Sequence, residues 1–178
     1  MLQGSLRPQD VLVLAKLVTG HGRRPPMAQL ATELGLSSSQ VHASLKRLEK
    51  SRLVAPSTDG GRPIVHAVEE FLIYGLKYAF PAQRGEVTRG IPTAHAAPPL
   101  DRHFAAGGDL PPVWPDPAGE VRGTSVDPLH KMVPFAVRKD PALYEVLSLI
   151  EALRDGRARE RQLAERELAT RLRRLLHG

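Results

Sequence analysis

Apolar positions recur with a helical period over most of this chain, and the period breaks in one long stretch. Met27, Leu30, Ala31 and Leu34 fall at i, i+3, i+4 and i+7, the spacing of a helix with one buried face. Gly35 stops that helix, Leu36 fills the corner, and the serine run starting at Ser37 supplies the N-cap of the next one. In the second helix Val41, Leu45 and Leu48 line one side. At 100° per residue the opposite side carries Ser39, His42, Ala43, Lys46 and Lys50, with Arg47 at its edge. That side is small near its start and basic near its end.

The same reading extends outward. A first helix is expected from Pro8 to Thr19, with proline in the permitted first turn and Gly20 after the end. After the second helix, residues 53–58 and 63–67 are two strand-like runs around Asp59, Gly60, Gly61 and Arg62. Asp-Gly and Gly-Gly supply the positive φ of a tight hairpin, so a two-stranded wing with Arg62 at its tip is expected. Residues 68–79 read as a further helix, stopped by Pro81. Phe71, Leu72, Tyr74, Leu76, Tyr78 and Phe80 are too many for one stripe, which predicts burial on more than one side.

Between 81 and 141 the helical period disappears. Eleven of the sixteen prolines and six glycines lie there, which excludes a helical domain. Ile91, Leu100, Phe104, Val113, Trp114, Val121 and Val126 give the segment apolar anchors, so it is expected to be ordered and extended. Helix then returns. Asp140 caps a helix with Pro141 at its first position, and Leu143, Val146, Leu147, Ile150 and Leu153 form one face. A last helix places Ala164, Leu168, Leu172 and Leu175 on one side.

These residues carry a resemblance. LATELGLSSSQVHASLKRLEKSRLV is similar to the winged helix-turn-helix of MarR-like and related bacterial regulators, over roughly residues 7–70. The resemblance implies a recognition helix entering the DNA major groove. Ser38, Ser39, His42 and Ala43 would face base edges, with Gln40 in the same DNA-binding set. Lys46, Arg47 and Lys50 would take phosphates, and Arg62 would anchor the wing.

Charge adds to this picture. The net charge is +6, and residues 1–80 hold ten lysines and arginines against six acids, so most of the excess falls on the reading head. Residues 81–140 hold seven of each, and 141–178 eight arginines against six acids. There is no cysteine, hence no disulfide, thiolate metal site or cysteine nucleophile. The polar N-terminus and the lack of any apolar span predict a cytoplasmic protein with no membrane partner. Phosphate loops and common hydrolase motifs are missing, and the spacing of His95, His103 and His130 matches no common metal site. No enzyme activity, cofactor or metal is expected.

The sequence therefore predicts a mainly α protein with a small β-wing, in three parts. Residues 1–80 form a winged helix-turn-helix domain, 81–140 a Pro/Gly-rich extended segment, and 141–178 a C-terminal helix pair. The expected function is a transcription regulator, a repressor, binding double-stranded DNA as a homodimer. Leu143, Leu147, Ile150, Leu168 and Leu172 are the expected oligomerisation face, because the preceding proline-broken segment offers little to cover them. Two rivals stay open: an antitoxin-type protein that neutralises a partner such as a toxin through residues 81–178, and a repressor sensing a small ligand.

Overall fold

Helix α1 (Pro8–Thr19) is apolar nearly all round, with Val11 to Ala15, Leu17 and Val18 buried. A helix of this kind must be covered on more than one side, and its neighbours supply the cover. On one side lie α2 (Met27–Leu34) and α3 (Ser38–Lys50); on another lie the C-terminal helices. The computed structural model describes residues 4–21, 23–59, 61–105 and 107–177, with the side chains of all but Asp59 and residues 175–177. The expectations for Gly60 and for the side chain of Leu175 lie outside the described residues.

The corner between α2 and α3 forms as the sequence dictates. Gly35 adopts φ +66°, a left-handed conformation that glycine reaches without strain. Ser37 Oγ accepts from Gln40 N at 3.2 Å while Gln40 Oε1 accepts from Ser37 N at 2.8 Å, a reciprocal capping box.

The wing departs from expectation. Its two runs meet in a single antiparallel bridge, Val54 to Pro63, flanked by bonds from Ala55 N to Arg62 O and from Ile64 N to Leu53 O. Pro63 has no N–H to extend a ladder, and from Val65 onward the chain is already helical, so the second strand is not formed. The helical run comprises α4 (Val65–Glu70), a π turn (Phe71–Gly75) and α5 (Leu76–Ala79). It buries Val68, Leu72, Ile73 and Leu76, with Phe71 and Phe80 packed against the core, and leaves Tyr74 and Tyr78 exposed.

The β structure lies instead in the middle segment. Strands β1 (Arg84–Pro92), β2 (Pro112–Pro115) and β3 (Val121–Val126) all pair with one another, β1 antiparallel to both and β2 parallel to β3. Gly90 sits where backbones crowd: a Cβ there would come within 2.0 Å of Trp114 O. Trp114 and Val113 are buried, as is Leu100 in the connection between β1 and β2.

This small sheet covers one face of α7 (Pro141–Asp155). Tyr144 donates to Pro92 O at 2.6 Å, Trp114 Nε1 to Glu151 Oε2 at 2.7 Å, and Arg84 Nε to Asp155 Oδ2 at 2.8 Å. These three α7 residues are spaced by seven and four, one line along the helix. Arg154 closes the network by pairing with Glu151 and donating to Phe80 O. Burial pushes the Glu151 carboxyl up, opposed by Arg154 and Trp114, and pushes the Tyr144 hydroxyl up to about 12, so Tyr144 stays a donor.

The other faces of α7 meet α1, α5, α6 (Val133–Val137) and α8 (Ala158–His177). Leu143, Leu147, Ile150, Leu168 and Leu172 are consequently buried within the chain itself. This corrects the expected oligomerisation face: α1 and the sheet supply the cover that the proline count argued against. One contiguous cluster of buried side chains runs from Val11 to Leu172, so the three segments share a core. Among the described residues no helix is long and apolar enough to cross a membrane.

Candidate nucleic-acid interface

The outward side of α3 is built from its inward side. Val41, Ser44, Leu45 and Leu48 are buried against α1 and α2. Ser38, Ser39, Gln40, His42, Lys46 and Lys50 are therefore turned to solvent, and Ala43 is half-buried among them. This is the arrangement the periodicity predicts. At its N-terminal end the outward side carries the small residues Ser38, Ser39 and Ala43 beside His42. Its cations sit at the C-terminal end, which also suits the helix dipole.

Two of the nominated residues are occupied differently. Arg47 points inward: its Nε and Nη2 grip the fully buried Asp10 carboxylate at 2.8 and 2.7 Å, and Nη2 also reaches Ser44 Oγ at 3.3 Å. Hydrogen bonding to Asp10 raises the arginine's pKa still further, so this charge is fixed in place. Arg47 is thus a strut between α1 and α3 and not a free phosphate ligand, a correction that follows from the position of Asp10 across the helix crossing. Gln40 spends its Oε1 on the capping box with Ser37. Lys50 lies across Gly4 at the end of α3.

Several positioning residues escape a reading by periodicity. Gln9 donates to Ser44 Oγ at 2.9 Å and to the Gln40 backbone O at 3.4 Å, so with the Asp10–Arg47 pair α1 holds α3 at three residues. Asp10 also accepts from Arg7 N at 2.8 Å, closing the cap of α1. At the wing, Arg62 is exposed, and Arg24 from the preceding loop lies against Gly61 and donates to Ser57 Oγ at 3.1 Å. Two cations thus stand near the tip where one was expected. The only sequence sign of Arg24 is its place in the basic loop before Pro25 and Pro26.

A second charge cluster ties this head to the body. Lys16 of α1 pairs with Glu33 of α2 at 2.7 Å and with Asp140, the N-cap of α7, at 2.5 Å. The Lys16 hydrogen bond holds Glu33 below the usual carboxylate range.

Residues 18–55 match the family model for winged helix-turn-helix DNA-binding domains. The match spans α2, the corner and all of α3. No curated protein and no solved structure matches the chain. The matched segment suggests a DNA-binding regulator.

Proposed function

We propose that the chain is a sequence-specific regulator of transcription that binds double-stranded DNA, a repressor that occludes its site as a homodimer. The observation that carries this reading is the outward face of α3, polar at the exposed Ser38, Ser39 and His42, small at the half-buried Ala43 and cationic at Lys46, on a helix clamped to α1 through Asp10. A rigidly held helix of this profile fits the major groove, where the small residues admit base edges. Lys46 and Lys50 take phosphates, and Arg62 with Arg24 contacts the backbone beside the wing. Two heads double the few base contacts that one offers. The antitoxin reading is the less favoured one, because residues 81–178 contribute Leu100, Trp114, Leu147, Ile150 and Leu168 to the core they share with the head.

Selection from a pool of random duplexes tests the proposal. The protein should enrich one motif, and His42→Arg should change the bases preferred at one or two positions while leaving the rest of the motif intact. A pool that shows no enrichment after repeated rounds at low salt overturns the DNA-reading assignment.

A further inference from the structure

Among the described residues six large apolar side chains are exposed, and three of them, Ile64, Tyr74 and Tyr78, lie on or beside the helical run that follows the wing. Tyr74 is 57% and Tyr78 79% exposed, values a helix does not normally leave on large aromatics without a partner. In a regular α-helix, residues four apart drift by about 40° per step around the axis. The π turn at Phe71–Gly75, with Leu76 N bonded to Phe71 O, takes that drift back. Glu70, Tyr74 and Tyr78 are thereby brought towards one outward line. Beside this line runs a groove of about 460 Å³ walled by Leu6, Leu53, Ala67, Phe71 and Tyr74, room for an aromatic ring.

We propose that this face is the contact between two copies of the chain, packed antiparallel about a two-fold axis at Tyr74. The charges select that occupant. One turn before Tyr74 stands Glu70; one turn after it stands Tyr78, whose ring carries the Lys77 ammonium 5.1 Å from its centre. Antiparallel pairing sets each Glu70 against Lys77 and Tyr78 of the second copy, while parallel pairing would set like charges together. The neighbouring acids are already engaged, Glu69 with Arg173 at 2.9 Å and Glu165 with the Tyr74 hydroxyl at 2.9 Å, so Glu70 is the acid facing the line. Ridges spaced by four residues interlock at a crossing of about −50°. The aromatic rings supply the buried area and the Glu70–Lys77 pairs set the direction. The inference rests on the homodimer reading above and assigns it a surface distinct from α7 and α8.

Sedimentation of the full chain between about 1 and 200 μM is the test, with duplex binding measured separately on a half-site. The intact protein should show a monomer–dimer equilibrium in the micromolar range, as a small interface gives. Tyr78→Asp should abolish the dimer. Glu70→Lys and Lys77→Glu should each weaken it about tenfold or more, and the double variant should restore it, a rescue that a purely structural role would not produce. All three side chains changed are exposed or half-exposed, and unchanged circular dichroism verifies the fold. A chain that stays monomeric at 200 μM, a dimer indifferent to Tyr78→Asp, or a double variant without rescue overturns the interface. A monomer that binds the half-site removes this inference and leaves the reading head; a dimer that binds no DNA does the reverse.

Discussion

At the level of single residues, the instructive pair is Lys46 and Arg47. Adjacent in sequence and both basic, they stand at the cationic end of one helix, and helical periodicity separates them only as face and edge. What separates their roles is Asp10, 37 residues earlier and buried under the crossing of α1 over α3. That contact is long-range, so no local pattern reports it; Asp10 reads in the sequence as a first-turn acid. Removing the arginine strands a buried carboxylate, and Arg47→Met should cost about 3 to 5 kcal/mol in denaturant unfolding. Lys46→Met, on solvent, should cost less than about 0.5 kcal/mol. Equal losses from the two would contradict the strut assignment. The capping box was more legible: Ser37 and Gln40 sit three apart at a helix start, and their side chains meet as that spacing requires.

Among the elements, α1, α2, α3 and α7 were readable because start and stop signals coincide with their periodicity: the ends at Gly20 and Gly35, and the starts at Ser37 and at Asp140 with Pro141. The wing was not, because 63–67 carries β-branched residues that favour a strand while Pro63 and the apolar spacing of Val65, Val68 and Leu72 favour a helix. Tertiary burial of Val68 and Leu72 decides for the helix. The small sheet was hidden for a related reason. Its strands are rich in proline and glycine, and β1 is held by pairings to segments about twenty to forty residues away. Gly90 tests that assembly. With Trp114 O in the way of any Cβ, Gly90→Ala should force β1 off β2, at a cost of about 3 kcal/mol or more. Trp114 is the single tryptophan, so a red shift in emission reads the loosening directly. Emission and melting point identical to the parent protein would show that the strands do not approach so closely.

At the scale of the whole molecule, α7 is the axis about which reading head, sheet and last helix are assembled. The sequence shows its apolar faces but not what covers them, since burial by the same chain and burial by a second copy leave the same pattern. Leu147→Asp separates these: with Leu147 in the core it should unfold the protein, losing more than about 4 kcal/mol, whereas a folded monomer would mean the face was a subunit contact. The Lys16 clamp joins head to body through Asp140, and its pair with Glu33 inside the head is pH-dependent. Glu33 has a folded pKa below its ordinary value, so its contribution is present above about pH 4.5 and is lost as pH falls through the folded pKa. Thermal midpoints should drop on that acid side, and Glu33→Gln should lower the neutral midpoint and flatten the drop; an unchanged acid profile would contradict the clamp. The central claim, that the exposed face of α3 holds duplex DNA, is tested most directly by the salt dependence of binding to a selected duplex. Between 50 and 200 mM salt, affinity should fall steeply, and Lys46→Ala should weaken binding to all sequences and flatten the slope by about one unit per subunit. Lys46→Ala binding as tightly as the parent protein at every salt concentration would contradict the account.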